Sequence, residues 1–190
     1  MDFTSPSTHL ILDVGDIQPK EEQGIVPPKV HGMEYMSIVY YSREYASPLR
    51  GEDISNALVE LLAITRWGDL DFLVIDTPPG IGDITLDIIR FIQRVKFLVI
   101  TTPSKLAFET VRKLVELLSE LDVPVLGVIE NMKREPSGFV QKKVEDRGLT
   151  FWGKIPFDPK VEGAIGDAGK LLGTDFGKRL KRIVENRIRV

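Results

Sequence analysis

The sequence predicts an α/β domain, a mostly parallel sheet with helices on both faces. Three observations carry that expectation. Apolar runs of strand length recur without polar alternation, as strands buried on both faces require. Segments of helical period fill the intervals, so the order reads strand, helix, strand. The 190 residues are 43% hydrophobic and 28% charged, enough for a sizeable core and unlike a disordered chain.

Residues 72–75 (FLVI) make a buried-strand run closed by Asp76 and a TPPG turn. Residues 97–100 repeat FLVI and are closed by Thr101, Thr102 and Pro103. A third run, 123–129, is closed by Glu130 and Asn131, and a weaker fourth, 149–155, ends at Pro156. Ile54, Ala57, Leu58, Leu61 and Leu62 form one helical stripe, with Asp53 as its cap. Phe108, Val111, Leu114, Val115, Leu118 and Leu121 form another, and Leu180, Ile183, Val184 and Ile188 a third. Helices are therefore expected over 52–66, 104–121 and 176–188, with a shorter apolar one over 84–94. Residues 13–32 read as loop or ragged hairpin, 34–41 as a strand, and 6–14 as room for a short helix. One domain is expected over 1–190, with loop and hairpin in 1–50 and βα units in 51–190.

Composition narrows the function. The chain has no cysteine, which removes disulfides, thiolate zinc sites, cysteine-held iron–sulfur clusters and cysteine nucleophiles. A net charge of −3 argues against a dedicated nucleic-acid binder. No apolar run reaches the roughly 18 residues of a membrane span, and the first residues lack signal-peptide blocks, so a cytoplasmic protein without a membrane partner is expected.

In an open parallel sheet, ligands sit outside the carboxyl ends of the strands. Three segments fall there: Asp76-Thr77-Pro78-Pro79-Gly80, Thr101-Thr102-Pro103-Ser104 and Glu130-Asn131-Met132. A carboxylate ending an apolar strand before a glycine loop suits a hydrated magnesium beside phosphates. It also suits an ordinary strand end. Asp83 reads equally as a magnesium or switch group and as a helix cap. His9 and His31 are isolated, and Trp67 and Trp152 read as packing residues. The basic tail Lys178-Arg179-Leu180-Lys181-Arg182 reads as a solvated helix face.

At residues 67–86, WGDLDFLVIDTPPGIGDITL, the sequence resembles the Walker B and switch II region of the Mrp-type ATPases. These are iron–sulfur cluster carriers of the MinD/ParA/NifH-like (SIMIBI) P-loop NTPase group. Asp2-Phe3-Thr4-Ser5-Pro6-Ser7 resembles the family's D-x-x-G-P-S switch I, with Ser5 in place of glycine. Glu130-Asn131-Met132 resembles its E-N-M, and residues 151–159, FWGKIPFDP, resemble the segment beside the base. The resemblance covers nearly the whole chain.

The resemblance implies ATP and Mg2+ as cofactors. Asp2 and Asp76 would be the catalytic pair, managing the attacking water and the magnesium, which Asp76 holds through water. Thr77, Pro79 and Gly80 would line the phosphate side, Gly80 sensing the γ-phosphate through its N–H. Asn131, Pro156 and Asp158 would hold adenine. It also implies a homodimer and metal-cofactor assembly proteins as partners.

Two departures qualify this. No G-K-G-G-V-G-K-[ST] occurs, so the N–H cradle, the lysine and the magnesium-binding hydroxyl are missing. The family's C-x-x-C after E-N-M is here Lys133-Arg134-Glu135-Pro136-Ser137-Gly138, without a thiol. The chain is thus expected to be truncated at its N-terminus relative to the family and inactive by itself, in a family that hydrolyses ATP. Residues 72–76, lacking a central neighbour, are expected to self-associate or to pair with 97–102. The alternative function is a non-enzymatic scaffold or pseudo-ATPase acting as an interaction partner.

Overall fold

The computed structural model describes residues 1, 7–38, 40, 52–135 and 137–188. The chain forms two compact units, 1–91 and 92–190.

In the first unit, a short helix α1 (Thr8–Ile11) precedes two small antiparallel hairpins, β1 (Lys20–Glu21) with β2 (Ile25–Val26) and β3 (Lys29–Val30) with β4 (Met33–Glu34). Val14, Val30 and Tyr35 make a small core beneath them, with Leu12 and Tyr40 packed against it. The Thr8 hydroxyl and the Tyr35 hydroxyl lie 2.9 Å apart, which ties α1 to that core. Helix α2 (Glu52–Ile64) buries Leu58 and Leu61, and helix α3 (Asp83–Phe91), which buries Ile84 and Ile88, packs on it. The end of α2 meets the first hairpin: Arg66 N–H donates to the Ile25 carbonyl at 2.7 Å. Gly24, at φ 125°, permits this approach, since a Cβ there would come within 2.8 Å of the Ile64 carbonyl oxygen.

The second unit is the parallel sheet. Strands β5 (Phe97–Thr101), β6 (Val125–Lys133) and β7 (Phe151–Pro156) lie in the order β5-β6-β7, both pairings parallel. Helix α4 (Lys105–Glu120) connects β5 to β6, and α5 (Phe139–Glu145) connects β6 to β7. Ser104 caps α4, its hydroxyl accepting from Ala107 N–H. A 3-10 turn (Glu162–Ala164) leads to α6 (Ala168–Gly173) and α7 (Asp175–Glu185). Ile129, Trp152, Ile155 and Ile183 form one core cluster, joined by Leu98, Phe176, Leu180 and Ile188. Val128, next to Ile129 along the strand, points to the other face and is fully buried, so both faces are covered. The α/β class with a parallel sheet is as the sequence predicts.

Three local expectations are corrected. Residues 72–75 form no strand: Phe72, Leu73 and Val74 are exposed, Val74 by 76%. The backbone there meets Met1, whose amino group donates to the Val74 carbonyl at 2.8 Å and whose carbonyl accepts from Asp76 N–H at 2.9 Å. An apolar run becomes a buried strand only with both faces covered, and here they face solvent. Glu130-Asn131-Met132 lies within β6, which runs on to Lys133, rather than after it. Of 34–41, strand geometry is confined among the described residues to Met33–Glu34 and the single residue Ser37, although Tyr35, Met36 and Ile38 are buried.

Candidate functional site

The structure gathers the expected residues into two groups, each within its own unit. In the first unit the chain leaves Asp76, whose side chain is exposed, and bends through Thr77, Pro78, Pro79 and Gly80 into α3. Two prolines fix their own backbone angles, and Gly80 takes φ 87°, where a side chain is disfavoured. Gly82 then accepts the first helical bond from Leu86 N–H at 3.2 Å. Asp83 is the first helical residue and is exposed, placing its charge at the positive end of α3. Thr85 Oγ1 and Asp87 Oδ2, on the same helix, are buried without a hydrogen-bond partner among the described residues. Nothing in the sequence pattern singled out Asp87. Asp2 lies outside the described residues.

The second group sits at the carboxyl edge of the sheet. Lys133, at the end of β6, stands opposite Pro156 at the end of β7, and Phe157 N–H donates to the Lys133 carbonyl at 2.9 Å. Asn131 and the 156–158 segment are thereby brought to one edge. Asn131 is half-buried, and its Oδ1 accepts from Met132 N–H at 2.8 Å, which leaves its amide hydrogens without a partner among the described residues. Met132 has φ 57° and is exposed, so the strand kinks between two inward-facing neighbours. Those neighbours, Glu130 and Lys133, are buried and paired at 2.8 Å, and Lys133 also donates to the Ser137 carbonyl. Arg134 lies 4.3 Å over the Phe157 ring.

Asp158 is already engaged. Its carboxylate accepts from Lys160 N–H at 3.0 Å, Asp175 N–H at 2.9 Å and Phe176 N–H at 3.2 Å. Those donors, Lys160 foremost, hold the carboxyl below its ordinary range. The last two belong to the start of α7, so Asp158 docks that helix onto the carboxyl edge. Helix docking was not evident from FWGKIPFDP, because the donors lie 17 and 18 residues away.

The fit to cofactors is partial. Magnesium beside a triphosphate needs one or two carboxylates plus phosphate oxygens held by a glycine-rich loop and its lysine. The chain has no such loop, and no group of three His, Cys, Asp or Glu side chains capable of holding a metal occurs among the described residues. Nor is there a cysteine to hold a cluster. The described residues thus do not assemble a magnesium–triphosphate site or a thiolate cluster site, and no hydrolytic step is derived from them. No helix among the described residues is long and apolar enough to cross a membrane.

Comparison with known proteins agrees with the motifs. A family model described as ParA, NUBPL iron-transfer P-loop NTPase, matches residues 1–188. An iron–sulfur cluster carrier protein of Aquifex aeolicus is 37% identical over 153 residues, covering 73% of this chain and 42% of that protein. One from Methanococcus maripaludis is 34% identical over 184 residues, covering 86% of this chain and 62% of its own length. The carrier of Methanocaldococcus jannaschii is 32% identical over 211 residues, covering 97% of this chain and 71% of its own. The chain thus spans roughly half the length of the first two. A solved nucleotide-binding protein from Archaeoglobus fulgidus, in complex with ADP and with Co found in it, shares the fold. Its TM-score is 0.70 at 24% identity, with 90% of this chain and 72% of that one covered. This chain belongs to the ParA/NUBPL iron-transfer P-loop NTPase family and is similar to iron–sulfur cluster carrier proteins.

Proposed function

We propose that the chain is an adenine-nucleotide-binding protein of the Mrp type, acting in iron–sulfur cluster assembly, and that the carboxyl edge of its sheet takes the base. The observation that carries this reading is the register of β6 and β7, with Lys133 opposite Pro156, which brings Asn131 and the 156–158 segment to that edge, where open parallel sheets bind ligands. The amide hydrogens of Asn131 are free to donate to a purine ring nitrogen, Pro156 offers an apolar flank, and Asp158 fixes the segment through α7. By family resemblance alone, Thr77, Pro79 and Gly80 are assigned to phosphate, Asp76 to hydrated magnesium and Asp2 to switch I. The phosphate cradle itself is not among these residues, so the 190-residue chain binds weakly and does not turn over ATP. In the cell it is cytoplasmic and works as a homodimer with metal-cofactor assembly proteins.

Calorimetry with Mg-ATP should give a Kd weaker than about 0.1 mM, and Asn131→Ala should remove the remaining heat. Equal binding by the variant would refute the base assignment. Micromolar binding would show that a phosphate cradle exists elsewhere.

A second reading, a non-enzymatic scaffold, is favoured by the absence of both cysteine and a P-loop lysine. Mg-ATP binding that is lost in Asn131→Ala would decide against it.

A further inference from the structure

We infer that the second unit carries a second anion site, a cleft between β7 and α7 that binds a phosphate-rich small ligand such as a pyrophosphate group. This inference is independent of the nucleotide reading above. The cleft has a volume of about 370 Å³, within the small-molecule range, and is lined by Trp152, Gly153, Arg179, Arg182, Ile183 and Arg187 among others. Helical spacing explains the cluster. Residues 179, 182, 183 and 187 stand at i, i+3, i+4 and i+8, one continuous stripe along α7 and its C-terminal turn.

The helix runs back along β7 from its anchor at Asp158. Arg179 Nε donates to the Lys154 carbonyl at 3.2 Å, and Ile183 lies over Gly153, where an added Cβ would come within 3.0 Å of Cδ1. Glycine therefore lets the helix sit close and leaves an opening beside it. The cleft lies towards the start of β7, at the opposite end from the carboxyl edge that takes the base.

The charge pattern points to an anion. None of the three arginines forms an ion pair within 4.0 Å among the described residues, and Glu185, the nearest acid along the helix, pairs with Lys181 at 3.7 Å. Arg182 and Arg187 also lack any side-chain hydrogen bond there, and both are exposed. Cations at a helix C-terminus are ordinarily explained by the macrodipole. That explanation accounts for about half a charge, so most of the charge on the three arginines remains after it. Guanidinium forks match phosphate oxygens two at a time, and a diphosphate supplies more charge and more acceptors than a carboxylate. The mixed lining, one indole edge and one isoleucine beside the cations, suits a ligand with a small apolar part next to its phosphates.

The test is an amide NMR titration of the whole chain with inorganic pyrophosphate at low ionic strength, observing Gly153 and Ile183. Saturable shifts with a Kd of about 0.1–1 mM are expected. The doubly substituted Arg182→Gln, Arg187→Gln chain, altered at exposed positions that leave the core intact, should bind at least about tenfold more weakly. No shift up to about 10 mM, or equal affinity in the double variant, would overturn the site. Citrate binding as tightly as pyrophosphate would overturn the assignment to phosphate. Pyrophosphate titrated against the Asn131→Ala chain separates the two sites: unchanged binding is expected, and its loss would overturn this site by placing the pyrophosphate at the nucleotide site.

Discussion

The ammonium of Lys133 lies 2.8 Å from the carboxylate of Glu130, with the two side chains 6% and 1% exposed. The pair closes the carboxyl end of β6 from inside while Asn131 and Met132 bulge between its members. A buried pair adds little net stability over an apolar replacement, but breaking it strands a charge. Lys133→Met should therefore destabilise the fold by about 3–5 kcal/mol, while Glu130→Leu with Lys133→Met should recover most of the loss. Urea melts of the three chains read this directly. If the single variant melts like the parent, water reaches Glu130 and the pair is not sealed.

Gly127 and Trp152 are complementary in shape. The indole lies over the β6 backbone and donates its Nε1–H to the Leu126 carbonyl at 2.7 Å, and a Cβ on Gly127 would collide with the ring. Gly127→Ala should cost about 1–3 kcal/mol by overpacking and shift the Trp152 fluorescence as the ring is displaced. Trp152→Phe should cost a similar amount by leaving a hole and losing the bond. Near-additive costs in the double variant would refute the contact, since neighbours that share one space couple.

What the sequence made legible was the part fixed by local pattern. Residues 97–100 and, of the run 123–129, residues 125–129 are strands because Phe97, Val99, Val128 and Ile129 are apolar on buried faces. Residues 72–75 carry the same letters as 97–100 and stay irregular, because strand formation depends on neighbours that a local run does not encode. The E-N-M motif was legible, its position within β6 was not: Glu130 looks like the polar end of a strand, and only its partner Lys133 makes burial tolerable. Helix α6 was invisible, being six residues with no apolar stripe. The basic tail read as a solvated face, and only the docking of α7 on β7 shows that its two arginines, Arg179 and Arg182, border one cleft with Arg187.

Asp158 should set an acid-sensitive step. Its folded pKa is depressed, mainly by the Lys160 N–H and then by those of Phe176 and Asp175. A depressed carboxyl stabilises above its unfolded pKa, and that contribution fades as pH falls through the folded value. Asp158→Asn should thus melt below the parent near neutral pH, and the gap should close below about pH 4. Backbone amides of Asp175 and Phe176 should exchange faster in the variant at pH 7. A gap that stays constant from neutral to acid would show that the ionised form has no special role in holding α7.

The exposed apolar segment Phe72, Leu73 and Val74 should make the chain self-associate. Their exposures are 53%, 38% and 76%, in three consecutive positions, whereas single exposed apolar residues are ordinary. The backbone on one side meets Met1, and the apolar side chains still face water. Pairing with a second copy would cover them and extend the hydrogen-bonded edge at once. Light scattering at micromolar concentration should report a dimer or larger species. Val74→Lys, which places a charge at the most exposed of the three positions, should shift it at least about tenfold towards monomer without lowering helix content. A parent chain that stays monomeric at that concentration would refute the prediction, as would a Val74→Lys chain that associates equally well.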